Sequence, residues 1–353
     1  MIFSFYSSWP TIVQIIMFIV AIVIGVFCLV KFSDLFVGAA SAIAKKLHIA
    51  PMIIGLTVVA MGTSLPELAV SASDSIDCLI NGGNANVALG NVVGSNICNI
   101  FIVLGCSILF TPIFVKKSSL KKEFPIMIFV SLLLVLFGCA FNLNGSKAIL
   151  RWEGIIFVIG IIAYITFLVI DAIRHPETEE ASPEGEEKQE DIKDMNIWLA
   201  ILLVIIGAAG VVLGGELVVF GAKNFALTCA DAAGVDSDLA ESLVGLTVVA
   251  IGTSLPELVT SIVAAKKGQN DIALGNVIGS NIFNILFVLG ISATINPLTT
   301  GNQIVVDLCV MLFSALLLFA FSFRKLDRKA GIVFLSCYVV YLAYLIMRTI
   351  EVF

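Results

Sequence analysis

The chain has 353 residues, of which 59% are hydrophobic and 13% charged, and its mean hydropathy is +1.08. This composition lies well outside that of soluble domains, so it excludes a soluble protein and indicates an integral membrane protein. The net charge of −6 is a poor guide to partners, because nine acidic residues lie in one polar segment between Glu177 and Asp194.

Ten apolar runs are long enough to cross about 30 Å of hydrocarbon as helices. In chain order they cover residues 11–40, 51–80, 87–110, 124–142, 153–173, 197–226, 241–266, 272–295, 303–323 and 330–349. We therefore predict an all-α polytopic membrane protein with ten transmembrane helices. The long polar segment, residues 175–195, has the Pro, Glu and Lys content of a solvated linker.

Two sequence blocks each occur twice. GLTVVAMGTSLPEL at 55–68 and GLTVVAIGTSLPEL at 245–258 agree at 13 of 14 positions, and ALGNVVGSNICNI at 88–100 and ALGNVIGSNIFNI at 273–285 agree at 11 of 13. The chain thus divides into two five-helix halves, residues 1–174 and 196–353. Because five is odd, the second half enters the membrane inverted. Inverted repeats are typical of secondary transporters, whose sites lie near the midplane between the repeats.

The basic residues predict the orientation. With the N-terminus outside, fifteen Lys and Arg residues fall in the inner loops and four fall on the outer side. By the positive-inside rule we expect both termini outside and the acidic linker in the cytoplasm. We expect the cell (inner or plasma) membrane as the location, the lipid bilayer as surroundings, no nucleic-acid partner and no obligatory protein partner.

The first repeated block places polar groups on one helix face. Ala60, Thr63, Ser64 and Glu67 are spaced by three, one and three residues, so they share a face of helix 2. Their counterparts in helix 7 are Ala250, Thr253, Ser254 and Glu257. Pro66 and Pro256 lack an N–H group, so we expect a kink in each helix and a free carbonyl four residues earlier.

The second block supplies a matching polar stripe. Asn91, Ser95 and Asn99 are spaced i, i+4, i+8 on helix 3. Asn276, Ser280 and Asn284 repeat this on helix 8. Two small-xxx-small pairs, Gly90 with Gly94 and Gly275 with Gly279, predict close helix packing. We interpret Asn91, Asn96, Asn276 and Asn281 as mainly structural.

Two glutamates within the membrane need partners. Each costs about 3 kcal/mol or more at the bilayer centre, and neither motif contains Lys or Arg. The partners are therefore protons or a bound cation. Carboxylate, hydroxyl, amide and carbonyl oxygens without His or thiolate ligands suit a hard cation, and Ca²⁺ fits better than Mg²⁺ because it accepts adaptable geometry. We expect no cofactor.

At these residues the sequence resembles the cation/Ca²⁺ exchanger superfamily, most closely the compact prokaryotic-type sodium/calcium exchangers. The resemblance implies antiport of Ca²⁺ against Na⁺ at four sites between helices 2, 3, 7 and 8, with helices 1 and 6 sliding as a unit. It implies Glu67 and Glu257 as shared ligands of both ions. The remaining implied metal ligands are Thr63, Ser64, Thr253, Ser254, Ser95, Ser280, Asn99, Asn284 and the carbonyls of Ala60 and Ala250.

One position departs from the family pattern. Many sodium/calcium exchangers carry Asp where this chain has Asn284. Potassium-dependent relatives also rely on an acid there, so its absence argues against K⁺ co-transport and leaves the Na⁺ stoichiometry open. With two negative charges at the site, exchange of three Na⁺ for one Ca²⁺, the family's ratio, is expected to be electrogenic.

Three other functions compete with this interpretation. Ca²⁺/H⁺ exchange is the main alternative, because buried glutamates can carry protons themselves. A cation channel would need a ring of acids around a continuous pore, which the inverted repeat disfavours. An intramembrane hydrolase is disfavoured because the only histidines, His48 and His175, lie in loops, and we expect no enzymatic activity. For Asp34 and Glu216, an entrance role and a simple ion pair, such as Asp34 with Lys31, stay open.

Overall fold

The computed structural model describes residues 9–82, 86–139, 148–174, 195–232, 250–300 and 302–352, and these are overwhelmingly helical. The helices, in chain order, are α1 Thr11–Leu47, α2 Pro51–Thr63 with Leu65–Asn81, α3 Val87–Phe110, α4 Lys117–Cys139, α5 Arg151–Arg174, α6 Ile197–Ala232, α7 Ala250–Thr253 with Leu255–Lys266, α8 Asn270–Ile295, α9 Asn302–Phe321 and α10 Arg328–Val352.

Eight of the described helices are long and apolar enough to span a membrane, and the bent α2 makes a ninth. The predicted helix 7 begins at residue 241, and residues 241–249 lie outside the described part of the chain. The helical membrane fold is therefore confirmed, whereas the count of ten stays a prediction. Residues 175–194 of the predicted linker also lie outside the described residues.

The two helices that carry the second repeated block form the centre of the bundle. Nearly all of the apolar part of α8 is buried within the protein, and so is most of the apolar part of α3. Only a small part of the apolar stretch of α1 is buried, because most of that helix faces the bilayer. Polar residues on α3 and α8 are therefore shielded from lipid.

Helices α1 and α6 pack closely along their length. A β-carbon at Gly214 would lie 2.8 Å from the backbone nitrogen of Leu29, and one at Gly221 would lie 2.6 Å from the carbonyl oxygen of Phe18. At Gly210 the missing side chain makes room for the ring of Phe32. These glycines let the two backbones approach, as small residues do in membrane helix pairs.

Short extended segments connect some of the helices. Strand β1 (Ala148–Ile149) pairs antiparallel with strand β2 (Leu298–Thr299), and an isolated bridge joins Ile113 to Leu326. The all-α prediction holds apart from these pairings. They form because the segments after α4, α8, α3 and α9 are extended and satisfy one another's backbone groups.

Candidate functional site

Both copies of the GTSLPE motif break their helix at the same serine. Ser64 separates the two parts of α2, with backbone angles φ −85° and ψ 6°, and Ser254 separates those of α7, with φ −89° and ψ 5°. The two parts of α2 are bent by 48°. Proline lies in the first turn after each break, which confirms the predicted kink in α2. In each copy, the glutamate lies three residues after the break, in the first turn of the second helical part.

The second repeated block also carries a matched irregularity. A π-helical segment begins at Asn99 in α3 and continues to Leu104, and another begins at Asn284 in α8 and continues to Leu289. A π-turn rotates the residues that follow it, and such turns are frequent at functional sites. No local pattern in the sequence predicts these turns, because the residues that follow each asparagine are apolar residues common in any membrane helix.

The two glutamates are completely buried, and both accept one hydrogen bond from a serine of another helix. Ser95 Oγ donates to Glu67 Oε1 at 3.3 Å, which joins α3 to α2. Ser64 Oγ donates to Glu257 Oε1 at 3.3 Å, which joins the first half of the chain to the second. The other oxygen of each carboxylate, Oε2, accepts no hydrogen bond from the described residues.

The threonines of the motif also reach across the two halves. Thr63 Oγ1 donates to Asn276 Oδ1 at 3.1 Å, which joins α2 to α8. Ser95 Oγ lies 3.5 Å from Thr253 Oγ1, which joins α3 to α7. All four helices therefore meet at one buried polar cluster, as the sequence predicted.

The amides of Asn99 and Asn284 are held by asparagines on the opposite central helix. Asn99 Nδ2 donates to Asn281 Oδ1 at 3.2 Å, and Asn284 Nδ2 donates to Asn96 Oδ1 at 3.1 Å. Asn96 and Asn281 thus contact the predicted ligands directly, which agrees with the mainly structural role predicted for them. Their place one helical turn before the ligand was the available signal.

Several buried oxygens of this cluster lack a hydrogen-bond partner among the described residues. They are Glu67 Oε2, Glu257 Oε2, Asn99 Oδ1, Asn284 Oδ1, Ser254 Oγ and Ser280 Oγ. Buried polar groups without partners are costly, and in native structures most of them are satisfied. Six such oxygens on four neighbouring helices indicate a site that a ligand completes.

The other predicted residues are placed as follows. The carbonyl of Ala60 already accepts a hydrogen bond from Ser64 N at 3.0 Å, and Thr63 Oγ1 lies 3.3 Å from it. Ala250 begins the first part of α7. Asp34 forms a simple ion pair, but its partner is Lys267 and not the Lys31 given as an example: Asp34 Oδ1 lies 2.7 Å from Lys267 Nζ at the end of α7, because α1 packs against that end.

Two further asparagines brace the helices that carry the glutamates. Asn91 Nδ2 donates to Ser71 Oγ at 3.0 Å, and Asn276 Nδ2 donates to Ser261 Oγ at 2.9 Å. Each also donates to the backbone carbonyl of its neighbouring glutamate, at 3.4 and 3.5 Å. This geometry agrees with the structural role predicted for both.

The cluster offers oxygen atoms only, with two carboxylates that can balance a divalent charge. Such a donor set suits a hard cation such as Ca²⁺ or Na⁺. Among the described residues, no group of three or more His, Cys, Asp and Glu side chains forms a metal site. The donor atoms of the site are therefore compatible with cation binding within the membrane.

Comparison with known proteins gives the same result. The sequence model described as "Sodium/calcium exchanger protein" matches residues 17–170 and 199–347. The chain is 38% identical over 327 residues to the putative antiporter CaxA of Alkalimonas amylolytica, covering 91% of this chain and 96% of CaxA. It is 32% identical over 354 residues to the sodium/calcium exchanger MaX1 of Methanosarcina acetivorans, covering 92% and 97%.

A solved structure is also similar. The sodium-calcium exchanger NCX_Mj, soaked with 10 mM Na⁺ and zero Ca²⁺, superposes with a TM-score of 0.75 at 32% identity. The match covers 93% of this chain and 99% of that chain. Because the family model matches both halves and the relatives match nearly end to end, this integral membrane protein belongs to the sodium/calcium exchanger family.

Proposed function

We propose that the protein is a secondary active antiporter that exchanges Ca²⁺ for Na⁺ across a membrane by alternating access. The observation that carries this proposal is a set of six buried oxygens around Glu67 and Glu257, contributed by α2, α3, α7 and α8, that have no hydrogen-bond partner among the described residues. Family membership supports the choice of ions, since relatives such as MaX1 are described as sodium/calcium exchangers.

In this proposal the two glutamates bind both cations. Glu67 and Glu257 supply the charge, and the other oxygens complete the coordination. These come from the side chains of Thr63, Ser64, Thr253, Ser254, Ser95, Ser280, Asn99 and Asn284 and from the carbonyls of Ala60 and Ala250. Ca²⁺ and Na⁺ then compete for one set of ligands.

Competition for one site couples the two fluxes. With both glutamates ionised, the empty site carries charge −2, and moving two bare carboxylates through an occluded state would be costly. The occupied protein passes through the occluded state more easily, because the bound cation offsets the negative charge of the site. One Ca²⁺ gives a neutral site and three Na⁺ give +1, so 3:1 exchange is electrogenic.

The moving part is proposed to be the pair α1 and α6. Phe36 of α1 fills the space beside Gly62, and Val219 of α6 fills the space beside Gly252, so this pair crosses the breaks of both α2 and α7. We propose that the repeats are residues 1–174 and 196–353. We also propose that both termini lie outside and that the linker 175–195 lies in the cytoplasm, following the basic residues of the loops.

The test is ⁴⁵Ca²⁺ uptake into proteoliposomes loaded with Na⁺ or with choline, at equal pH inside and outside. We expect uptake only with internal Na⁺. In an electrogenic 3:1 exchange the lumen becomes negative as Na⁺ leaves, so K⁺ on both sides with valinomycin should raise the rate. When K⁺ is replaced by choline, a lipophilic cation can clamp the membrane potential in place of K⁺ and valinomycin. The rate of Ca²⁺ uptake should then stay unchanged, because we propose that K⁺ is not co-transported.

Ca²⁺/H⁺ exchange is distinguished in the same assay. Uptake that ignores Na⁺ and is driven by an imposed pH gradient, acidic inside, would contradict Na⁺ coupling. Uptake that needs K⁺ under clamped potential would contradict K⁺ independence. Uptake that proceeds without any counter-ion, as through a channel, would contradict antiport.

A further inference from the structure

Two buried asparagines outside the proposed ligand set hold the amide groups of the two ligand asparagines. Asn96 lies three residues before Asn99 on α3, and Asn281 lies three residues before Asn284 on α8. All four side chains are at most 2% exposed. Each ligand amide donates its N–H to the residue of the opposite repeat, Asn284 to Asn96 at 3.1 Å and Asn99 to Asn281 at 3.2 Å.

The acceptor at Asn96 is itself fixed. Its Nδ2 donates to the backbone carbonyl of Asn281 at 3.2 Å and approaches Met311 Sδ at 3.8 Å. Rotating the Asn96 amide would exchange its oxygen and nitrogen. Its nitrogen would then face the Asn284 nitrogen, and its oxygen would face a carbonyl. The orientation of Asn96 therefore follows from the backbone of the other repeat.

This arrangement determines which end of each ligand amide is free. An asparagine side chain has an oxygen that attracts a cation and an NH₂ group that repels it. With Nδ2 engaged, the oxygens of Asn99 and Asn284 are the atoms left without a partner in the described structure. A side chain free to flip would present N–H groups to the cation for part of the time.

We infer that Asn96 and Asn281 are positioning residues, each of which orients the carbonyl oxygen of the ligand asparagine contributed by the other repeat. This inference rests on the proposed function, because it takes Asn99 and Asn284 as cation ligands. It assigns the pairs crosswise, so that Asn96 acts through Asn284 and Asn281 acts through Asn99. Partners that orient a ligand commonly change metal affinity by about 10- to 100-fold when they are removed.

The experiment is an isothermal calorimetric titration of Ca²⁺ into the purified full-length protein, in a sodium-free detergent buffer that contains choline. We expect Asn96→Ala to weaken Ca²⁺ binding about tenfold. When Asn284 is already replaced by Ala, Asn96→Ala should weaken Ca²⁺ binding by less than a further factor of about two. When Asn99 is replaced by Ala instead, Asn96→Ala should still weaken Ca²⁺ binding about tenfold. Ser107→Ala is the control, since Ser107 is buried on α3 and its hydroxyl donates a hydrogen bond to Val103 O of the same helix.

The crosswise pattern separates positioning from a general packing defect. Equal losses in the Asn284→Ala and Asn99→Ala backgrounds, or a loss no larger than that of Ser107→Ala, would overturn the inference while leaving the proposed function intact. If Asn96→Ala does not fold, Asn281→Ala repeats the test with the roles of Asn99 and Asn284 exchanged. Wild-type protein that binds no Ca²⁺ would overturn the proposed function itself.

Discussion

At the scale of single residues, the site depends on two carboxylates that the protein buries without any cationic side chain beside them in the described structure. Glu67 and Glu257 each receive one serine hydrogen bond at 3.3 Å, which is far from enough to replace their hydration. In the proposed function, a bound cation offsets the charge of the two carboxylates and replaces their lost hydration. Because the described residues give these carboxylates no strong partner, they would also be available to exchange Ca²⁺ for Na⁺ in the proposed function.

Removing one charge from this pair should abolish transport. Glu67→Gln or Glu257→Gln keeps the size of the side chain but leaves one carboxylate against a divalent ion. We therefore expect Na⁺-dependent ⁴⁵Ca²⁺ uptake to fall by about a hundredfold or more, since affinity depends strongly on ligand charge. The control is Glu153→Gln: Glu153 is equally buried but accepts a hydrogen bond from Leu150 N at 2.7 Å at the start of α5. Equal losses in all three variants would contradict a special role for the pair.

At the scale of helices, the site depends on a close approach of α2 and α8. A β-carbon at Gly275 would lie 2.7 Å from the carbonyl oxygen of Met52 and 3.0 Å from the Cα of Gly55. At Gly279 it would lie 2.7 Å from the Cβ of Ala60. The packing predicted for the α8 glycines is thus present. The segment that would lie opposite Gly90 and Gly94 of α3 by repeat symmetry, residues 245–249, is outside the described residues.

Gly275→Ala should separate these helices and so disturb the ligands. Overpacking a tight contact costs about 1–3 kcal/mol, and we expect a lower thermal unfolding temperature together with weaker Ca²⁺ binding. Gly38→Ala is the matched control, because a β-carbon there meets only Lys267 Nζ at 3.6 Å. Unchanged stability and binding in Gly275→Ala would show that the close approach is dispensable.

The sequence predicted which residues share a helix face at the site better than it predicted the contacts between helices. The repeats placed Glu67, Glu257 and the polar stripes because spacing determines which residues share a helix face. The π-turns at Asn99 and Asn284 and the ion pair between Asp34 and Lys267 could not be predicted. They depend on how helices from different halves pack, and helix periodicity carries no information about such contacts.

At the scale of the whole molecule, the two halves are not packed alike. Helix α1 is bonded to the second part of α7 by Ser33 with Thr260 at 3.1 Å and by Asp34 with Lys267 at 2.7 Å. The corresponding part of α2 has a more exposed face, on which Leu65 is 44% and Ile80 is 73% exposed. In the proposed alternating-access cycle, in which α1 and α6 move, we expect the opposite state to break these contacts between α1 and α7 and to cover the exposed face of α2.

Weakening the ion pair should therefore shift the balance between states. Because the side chain of Asp34 is 59% exposed, the pair is worth about 1 kcal/mol or less, a change in population of about fivefold at most. We expect Lys267→Gln to speed amide hydrogen exchange in residues 255–266 and slow it in residues 65–81. Asp34→Asn should do the same, with no added effect in the double variant, while Lys266→Gln should not. Faster exchange in both segments would point to simple destabilisation instead.

Competition between Na⁺ and Ca²⁺ for Glu67 and Glu257 can be measured by titrating Ca²⁺ into the purified protein at increasing Na⁺, with choline holding the ionic strength constant. If the cations share one site and more than one Na⁺ displaces each Ca²⁺, the apparent Kd for Ca²⁺ should rise more steeply than linearly with Na⁺ concentration. Binding should be lost in Glu67→Gln. A Kd that does not change with Na⁺ would contradict the shared site.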